Sequence, residues 1–136
     1  MLNLVSGFGF GDRQENQVRQ HKTIEILYQN VRGLRTKLDE FRNSVASSTS
    51  DLFAVTESGC NQSIHDAEIV PAGFQIIRCD RADGRKQGGA FLVATHRYEL
   101  RRVPIPDDVN VDARAFEIVC ATVNMNGRYL FLCCVV

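Results

Sequence analysis

The stretch that decides the fold runs from residue 23 to residue 57 and reads TIEILYQNVRGLRTKLDEFRNSVASSTSDLFAVTE. Apolar and polar side chains alternate at its start, as in a strand, and this pattern stops at Asn30. Apolar side chains then recur at helical spacing over roughly residues 35–46. The apolar run at residues 52–55 is typical of a strand buried on both faces, and it stops before Glu57. The stretch therefore predicts a strand, a helix and a second strand.

This arrangement has a consequence for the ends of the two strands. A strand, a helix and a strand in so short a segment indicate a right-handed crossover, so the two strands are predicted to be parallel. The carboxyl ends of parallel strands lie at the same edge of a sheet, which is where open α/β folds bind ligands. Asn30 and Glu57 are therefore predicted to lie together at that edge. Taken singly, each is more often an ordinary turn residue or solvated carboxylate than a catalytic group.

The remainder of the chain predicts further strands. Asn126-Gly127 is a strong hairpin signal because both central positions of a type I′ turn need a positive φ. In the strand before that turn, Phe116, Ile118 and Cys120 are expected to point inward. The predicted strands cover residues 74–77, 90–94, 115–123 and 129–136, with residues 98–103 as a further pairing segment.

A polar loop at residues 78–89 carries more cations than carboxylates. Arginine and lysine in such a loop can hold phosphate groups. The alternative is a solvated surface turn, which the loop alone favours. The candidate phosphate-binding residues are Arg78, Arg81, Arg85 and Lys86.

Composition narrows the class of protein. The 136 residues are 44% hydrophobic and 24% charged, which is typical of a globular chain rather than of a disordered or fibrous one. Sixteen basic side chains balance sixteen acidic ones, so bulk charge does not explain binding to nucleic acid, and any site for a polyanion must be local. Five cysteines without a C-x-x-C pair favour reduced thiols, and hence an intracellular protein, cytoplasmic or nuclear. Residues 1–10 lack the basic start of a signal peptide, and no later run approaches the about 20 apolar residues that span a bilayer, so a secreted or membrane-spanning protein is disfavoured.

The two ends of the chain suggest its domain organisation. Residues 1–22 show no apolar periodicity and are predicted to form a loosely ordered leader, so the domain proper would span residues 23–136. Residues 131–136 end the chain inside an apolar run that resembles a central strand. We therefore expect the N-terminal part of a larger α/β fold, with an unpaired last strand that promotes aggregation.

Four segments of the chain carry motifs in a fixed order: YQNVRGLRTK at residues 28–37, AVTES at 54–58, FQIIRCDR at 74–81 and GRKQGGA at 84–90. In this order they resemble the endonuclease/exonuclease/phosphatase superfamily. More narrowly, they resemble the apurinic-type endonuclease domain at the start of non-LTR retrotransposon polyproteins. After Glu57, the chain has Ser58-Gly59-Cys60 where this family commonly has Thr-Trp-Leu.

The resemblance implies a fold and a chemistry. The fold is a four-layer α/β sandwich with two packed sheets and outer helices, of which this chain would be the N-terminal part. The chemistry is Mg²⁺-dependent phosphodiester cleavage that nicks DNA, with Mn²⁺ as a possible substitute and no small-molecule cofactor. By position, Asn30 matches the amide that orders the metal-site carboxylate and the phosphate, and Glu57 matches the metal ligand. A full-length element would also carry a reverse transcriptase region.

The same resemblance leaves two other interpretations open. The family's downstream motifs, a Tyr soon after the last predicted strand, a Gly-Asp-x-Asn turn and a C-terminal Asp-His pair, would lie beyond Val136 and are not among these 136 residues. The chain is therefore expected to be inactive alone, and the alternative function is a non-catalytic remnant that at most binds nucleic acid or protein. A phosphatase branch of the superfamily is a third possibility, which the retrotransposon-like segment at residues 29–34 disfavours.

Overall fold

The computed structural model describes residues 2–8, 22–81, 87–109 and 116–136. Within these residues, ten elements follow one another along the chain. They are β1 Leu2–Phe8, β2 Lys22–Asn30, α1 Leu38–Ser47, β3 Leu52–Thr56, α2 Asp66–Ile69, β4 Phe74–Cys79, β5 Ala90–Thr95, β6 Glu99–Arg102, β7 Ile118–Met125 and β8 Arg128–Val135.

The strands form two sheets. The first has five strands in the order β1-β2-β3-β5-β4, and the second has three in the order β6-β7-β8. The predicted crossover is confirmed, because β2 and β3 are parallel neighbours on either side of α1, with Asn30 opposite Thr56. The other strand pairs are antiparallel, and β5 lies between β3 and β4.

The helix α1 begins three residues later than the sequence pattern predicts, at Leu38. Leu34 is buried in the preceding loop, where its carbonyl accepts a hydrogen bond from the Lys37 N–H at 2.7 Å. On the helix itself, Phe41 and Val45 are buried. This spacing of four residues places both side chains on the face that packs against the five-stranded sheet.

The five-stranded sheet is covered on both faces. One face packs on the three-stranded sheet, with Ile24, Leu92 and Val119 in the apolar layer between them. The opposite face packs on the helices, where the Phe41 ring meets the Phe91 ring edge to face with centroids 5.6 Å apart. The architecture is therefore a mixed α/β sandwich of two packed sheets with helices outside, as the sequence predicts.

The beginning of the chain differs from the expectation of a loose leader. Leu2–Phe8 forms β1, which pairs antiparallel with β2 at the edge of the five-stranded sheet. The sequence of this segment includes Gly7, which weakens intrinsic strand propensity, so its pairing depends on the neighbouring strand. The remainder of the predicted leader, residues 9–21, lies outside the described residues.

The inward face predicted for β7 is wrong. Val119, Ala121 and Val123 are fully buried between the sheets, whereas Cys120 is only half-buried and Phe116 is exposed. Both faces of this strand carry apolar side chains, so alternation in the sequence does not show which face points inward.

The predicted hairpin between β7 and β8 is confirmed. Asn126 and Gly127 have φ values of 52° and 86°, and the flanking residues Met125 and Arg128 are paired. β8 is an outer strand of the three-stranded sheet, where Tyr129 and Phe131 are exposed. No helix in the described part of the chain is long and apolar enough to cross a membrane.

Candidate active site

Asn30 and Glu57 lie at the same edge of the five-stranded sheet, as predicted. Asn30 ends β2 opposite Thr56, and Glu57 follows Thr56 directly. The Asn30 side chain is exposed, and its Oδ1 accepts a hydrogen bond from the Arg32 N–H at 3.2 Å. Glu57 is half-buried. The site therefore begins with an amide and a carboxylate on adjacent parallel strand ends.

Backbone hydrogen bonds tie together the two loops that leave this edge. The N–H of Gly33 donates to the carbonyl of Glu57 at 2.7 Å, and the N–H of Leu34 donates to the carbonyl of Ser58 at 2.7 Å. Glu57 itself has a φ of 54°, which is uncommon for a residue other than glycine and is maintained by surrounding contacts. The loop that follows β2 thus holds the backbone at Glu57 in place through hydrogen bonds.

The loop before β5 closes the opposite side of Glu57. The N–H groups of Ser58 and Gly59 donate to the carbonyls of Gly89 and Gly88, at 3.2 and 2.9 Å. Gly89 has a φ of 86°, and a Cβ there would lie 2.7 Å from the Ser58 Oγ. Glycine is therefore required for the close approach of this loop to the residues after Glu57.

The residues that depart from the family's Thr-Trp-Leu pattern are packed into the protein. Ser58 is fully buried and its Oγ accepts a hydrogen bond from the Cys60 N–H at 3.3 Å. Burial raises the pKa of the Cys60 thiol, and the Ser58 hydrogen bond opposes this only in part. A buried thiol with a raised pKa is chemically inert, so Cys60 is a packing residue.

A second carboxylate, which the sequence analysis did not single out, lies near this loop. Glu117 is buried, and its Oε1 is 3.6 Å from the Nε of Arg81. A Cβ on Gly88 would lie 3.1 Å from the same Glu117 oxygen, so this carboxylate is next to the loop that contacts Gly59. In the sequence, the feature that distinguishes Glu117 is that an acidic residue stands between the apolar Phe116 and Ile118.

Arg78 is engaged within the protein rather than directed to a ligand. Its guanidinium contacts Asp80 at 2.6 Å and Asp66 at 3.0 Å, and it also donates to the carbonyls of Ile64 and Asn61. Partial burial opposes the charged form, but the hydrogen bonds that Arg78 donates to Asp80 and Asp66 outweigh it and raise the pKa of Arg78. This side chain joins β4 to the segment that follows β3.

The other candidate phosphate-binding residues are placed only in part. Arg81 is half-buried near the site edge and pairs with Glu117. Arg85 and Lys86 lie outside the described residues. Their predicted contact with phosphate stays a prediction.

Two solved structures resemble this chain in fold. The AP endonuclease LMAP from Leishmania major aligns with a TM-score of 0.59 and 16% identity over 81% of this chain and 39% of that chain. TDP2 of D. rerio, humanized by 14 mutations, aligns with a TM-score of 0.50 and 16% identity over 81% of this chain and 48% of that chain. This chain shares with them the fold of a mixed α/β sandwich of two packed sheets. No protein-family model and no curated protein matches the sequence.

The match covers only part of each of these two structures. The aligned region spans 39% of the AP endonuclease and 48% of TDP2, so this chain spans less than half the length of either structure. At 16% identity, it shows the fold alone.

The donor set at this edge of the five-stranded sheet fits one kind of divalent metal site. Among the described residues, no three His, Cys, Asp or Glu side chains cluster closely enough to hold a metal ion by themselves. Mg²⁺ is commonly held by one or two carboxylates, with water and substrate phosphate oxygens completing its coordination. Glu57 supplies one such carboxylate, so the described residues fit a Mg²⁺ ion shared with a phosphate and do not fit a resident ion in a closed cage.

Proposed function

We propose that this chain carries part of the active site of a Mg²⁺-dependent endonuclease that nicks DNA, of the kind found in non-LTR retrotransposon polyproteins. The observation that supports it most directly is the parallel register of β2 and β3, which brings Asn30 and Glu57 to one edge of the sheet. The fold shared with an AP endonuclease is consistent with this chemistry.

In this proposal, Glu57 is the metal ligand and Asn30 is an orienting amide. The half-buried Glu57 carboxylate would bind the ion, while its fixed backbone keeps the side chain at the sheet edge. The neutral Asn30 side chain can bind a phosphate oxygen or a ligand carboxylate without adding a second repelling charge. Mg²⁺, when bound, supplies charge stabilisation at the scissile phosphoryl group and at the leaving 3′ oxygen.

We assign the contacts with phosphates on either side of the scissile bond to the basic loop before β5. Arg81, Arg85 and Lys86 are the residues proposed to contact them, because the loop returns to the edge where Glu57 lies. Arg81 also pairs with Glu117, so it would have to share its guanidinium with a phosphate, whereas Arg78 is left out because two carboxylates and two carbonyl oxygens engage its guanidinium.

We further propose that these 136 residues bind DNA without cleaving it. The sequence after residue 90 has no Gly-Asp-x-Asn turn and no Asp-His pair, so no group of this family's type activates the attacking water. Binding and metal affinity are therefore the properties to measure on this chain, and strand cleavage is the property expected to be missing.

The test compares Glu57→Gln with Glu40→Gln, a substitution of the same type at an exposed position in α1. Fluorescence anisotropy of a labelled duplex oligonucleotide is measured in Mg²⁺ and in EDTA. We expect Mg²⁺ to strengthen binding by the unmodified chain and by the Glu40→Gln variant, and to have no effect on the Glu57→Gln variant.

Two results would contradict the proposal. Equal Mg²⁺ dependence in the Glu57→Gln variant would remove the metal-ligand role and leave the non-catalytic alternative. Relaxation of a supercoiled plasmid by the unmodified chain in Mg²⁺ would show that it cleaves alone, which the missing downstream motifs predict it cannot do.

A further inference from the structure

Two cysteines face each other on the outer side of the three-stranded sheet. Cys120 on β7 is paired with Cys133 on β8, and their Sγ atoms are 2.7 Å apart. Cys133 is exposed and Cys120 is half-buried, so reagents in solution can reach the pair. Nothing in the proposed endonuclease chemistry uses these two thiols.

The strand register places this pair in the geometry that a disulfide needs. Glu117 and Val136 exchange backbone hydrogen bonds in both directions, at 3.3 and 3.0 Å, so they form a hydrogen-bonded pair. Pairs alternate along an antiparallel ladder, and three steps further Cys120 and Cys133 therefore form a non-hydrogen-bonded pair. Such pairs have Cα atoms about 4.5 Å apart, inside the range of about 4.4–6.8 Å seen for disulfides.

The other cysteines are not placed to compete for either partner. Cys134 points into the core, where its Sγ is 3.8 Å from the carbonyl oxygen of Val55. Cys60 is buried on the helix-covered side of the five-stranded sheet, and Cys79 lies on β4 of that sheet. Within the described residues, the outer face of the hairpin presents one matched pair of thiols.

We propose that Cys120 and Cys133 are a site of oxidative modification, at which a small-molecule disulfide such as oxidised glutathione converts them to a cross-strand disulfide. In the first step, the Cys133 thiolate attacks one sulfur of the small disulfide and displaces one small thiol. In the second step, the Cys120 thiolate attacks the Cys133 sulfur of this mixed disulfide and displaces the other. Two protein thiols are oxidised, one small disulfide is reduced to two thiols, and the two protein protons pass to the leaving thiolates.

The surroundings of the two thiols set the order of these steps. Burial and the neighbouring Cys133 raise the pKa of Cys120 to about 11, so its thiolate is scarce at neutral pH. The thiolate is the nucleophile in exchange, which makes the exposed Cys133 the first residue to react. The second step is then aided by proximity, because the Cys120 sulfur already lies against its target.

The disulfide would change the outer strand of the sheet. It would link β8, the outer strand, to the central strand β7 at a point far from the Asn126-Gly127 turn, so both ends of the hairpin would be tied. Separation of β8 from β7 would require reduction of this bond. The modification would thus restrict opening of the strand that carries the exposed Tyr129 and Phe131.

The experiment uses the full 136-residue chain incubated with oxidised glutathione under native conditions and, in parallel, in guanidinium chloride. Free thiols are counted and disulfide-linked peptides are identified by mass spectrometry. We expect the native chain to lose two of its five thiols, to give one linked product joining Cys120 and Cys133, and to regain both thiols with dithiothreitol. The unfolded chain should give a mixture of pairings.

Variants separate this site from general thiol reactivity. Cys133→Ser should abolish the linked product, and Cys79→Ser should leave it unchanged. The proposal is overturned if the native chain retains a glutathione adduct on Cys133 while Cys120 stays free. It is equally overturned if the native and unfolded chains give the same mixture of pairings. A chain that does not fold would give this result as well, so that outcome also counts against the proposal.

Discussion

Replacement of Gly89 by alanine is expected to destabilise the fold through two separate effects. The first is conformational, because Gly89 has a φ of 86°, and a left-handed backbone costs a residue with a Cβ about 1–2 kcal/mol. The second is steric, since the new Cβ would lie 2.7 Å from the Oγ of the buried Ser58 and 3.5 Å from the carbonyl oxygen of Cys79. Overpacking of this kind costs about 1–3 kcal/mol, so the sum is about 2–5 kcal/mol.

The chain offers a matched control in Gly73. Its φ is 91°, and a Cβ added there would meet nothing within 4 Å. Gly73→Ala therefore carries the conformational cost alone, about 1–2 kcal/mol. Equilibrium unfolding in urea, followed by circular dichroism, gives both free energies, and their difference of about 1–3 kcal/mol measures the close approach to Ser58.

The same pair of variants tests how the loop supports the site. Ser58 follows Glu57, so a shift of Ser58 in the Gly89→Ala variant is expected to weaken Mg²⁺-dependent DNA binding, whereas Gly73→Ala should leave binding unchanged. Equal loss of stability in the two variants would refute the reasoning, because it would show that the loop before β5 does not press on Ser58.

Three further predictions concern the core, the Arg78 contacts and a buried thiol. Phe91→Ala removes a fully buried ring that packs on Phe41, and should lower the free energy of unfolding by about 3–5 kcal/mol in urea; a loss below about 1 kcal/mol would contradict this packing. Arg78→Ala leaves Asp80 without its guanidinium partner and should cost about 2–3 kcal/mol in the same assay, whereas a neutral effect would favour a ligand-binding role for Arg78. Burial raises the pKa of Cys134 from 9.0 to about 11, so the unfolded chain loses this proton first. The contribution of this thiol to the free energy of unfolding is fully present below pH 9 and is lost as the pH rises toward 11. The urea midpoint of the Cys134→Ala variant should therefore fall less steeply between pH 9 and 11 than that of the unmodified chain.

The part of the site that could be predicted from the sequence is the part that local patterns specify. The periods of two and 3.6 residues between residues 23 and 57 define β2, α1 and β3. The helix returns the chain to the starting end of the sheet, so the two strands run parallel. The positions of Asn30 and Glu57 follow from these rules alone. No contact between residues far apart in the sequence had to be known.

The features that were missed depend on such distant contacts. Arg78 forms an ion pair with Asp66 on α2, and this contact gives Arg78 a structural role. Glu117 lies near the site because it pairs with Arg81 and is next to Gly88. A charged side chain looks the same in the sequence whether its partner is another side chain or a ligand. Only the folded arrangement of the described residues distinguishes the two cases.

The strand order places both ends of the basic loop at the edge where Glu57 lies. Sequence patterns define β3, β4 and β5 separately, but they do not show that β5 inserts between the other two. That insertion pairs Ala90, the first residue of β5, with both Thr56 and Cys79. The loop between β4 and β5 therefore leaves and returns at the same edge as Glu57. Because both ends of this loop lie at the edge where Glu57 lies, the strand order supports the proposal that its cations contact phosphates near a metal on Glu57, which the sequence of the loop alone does not favour over a surface turn.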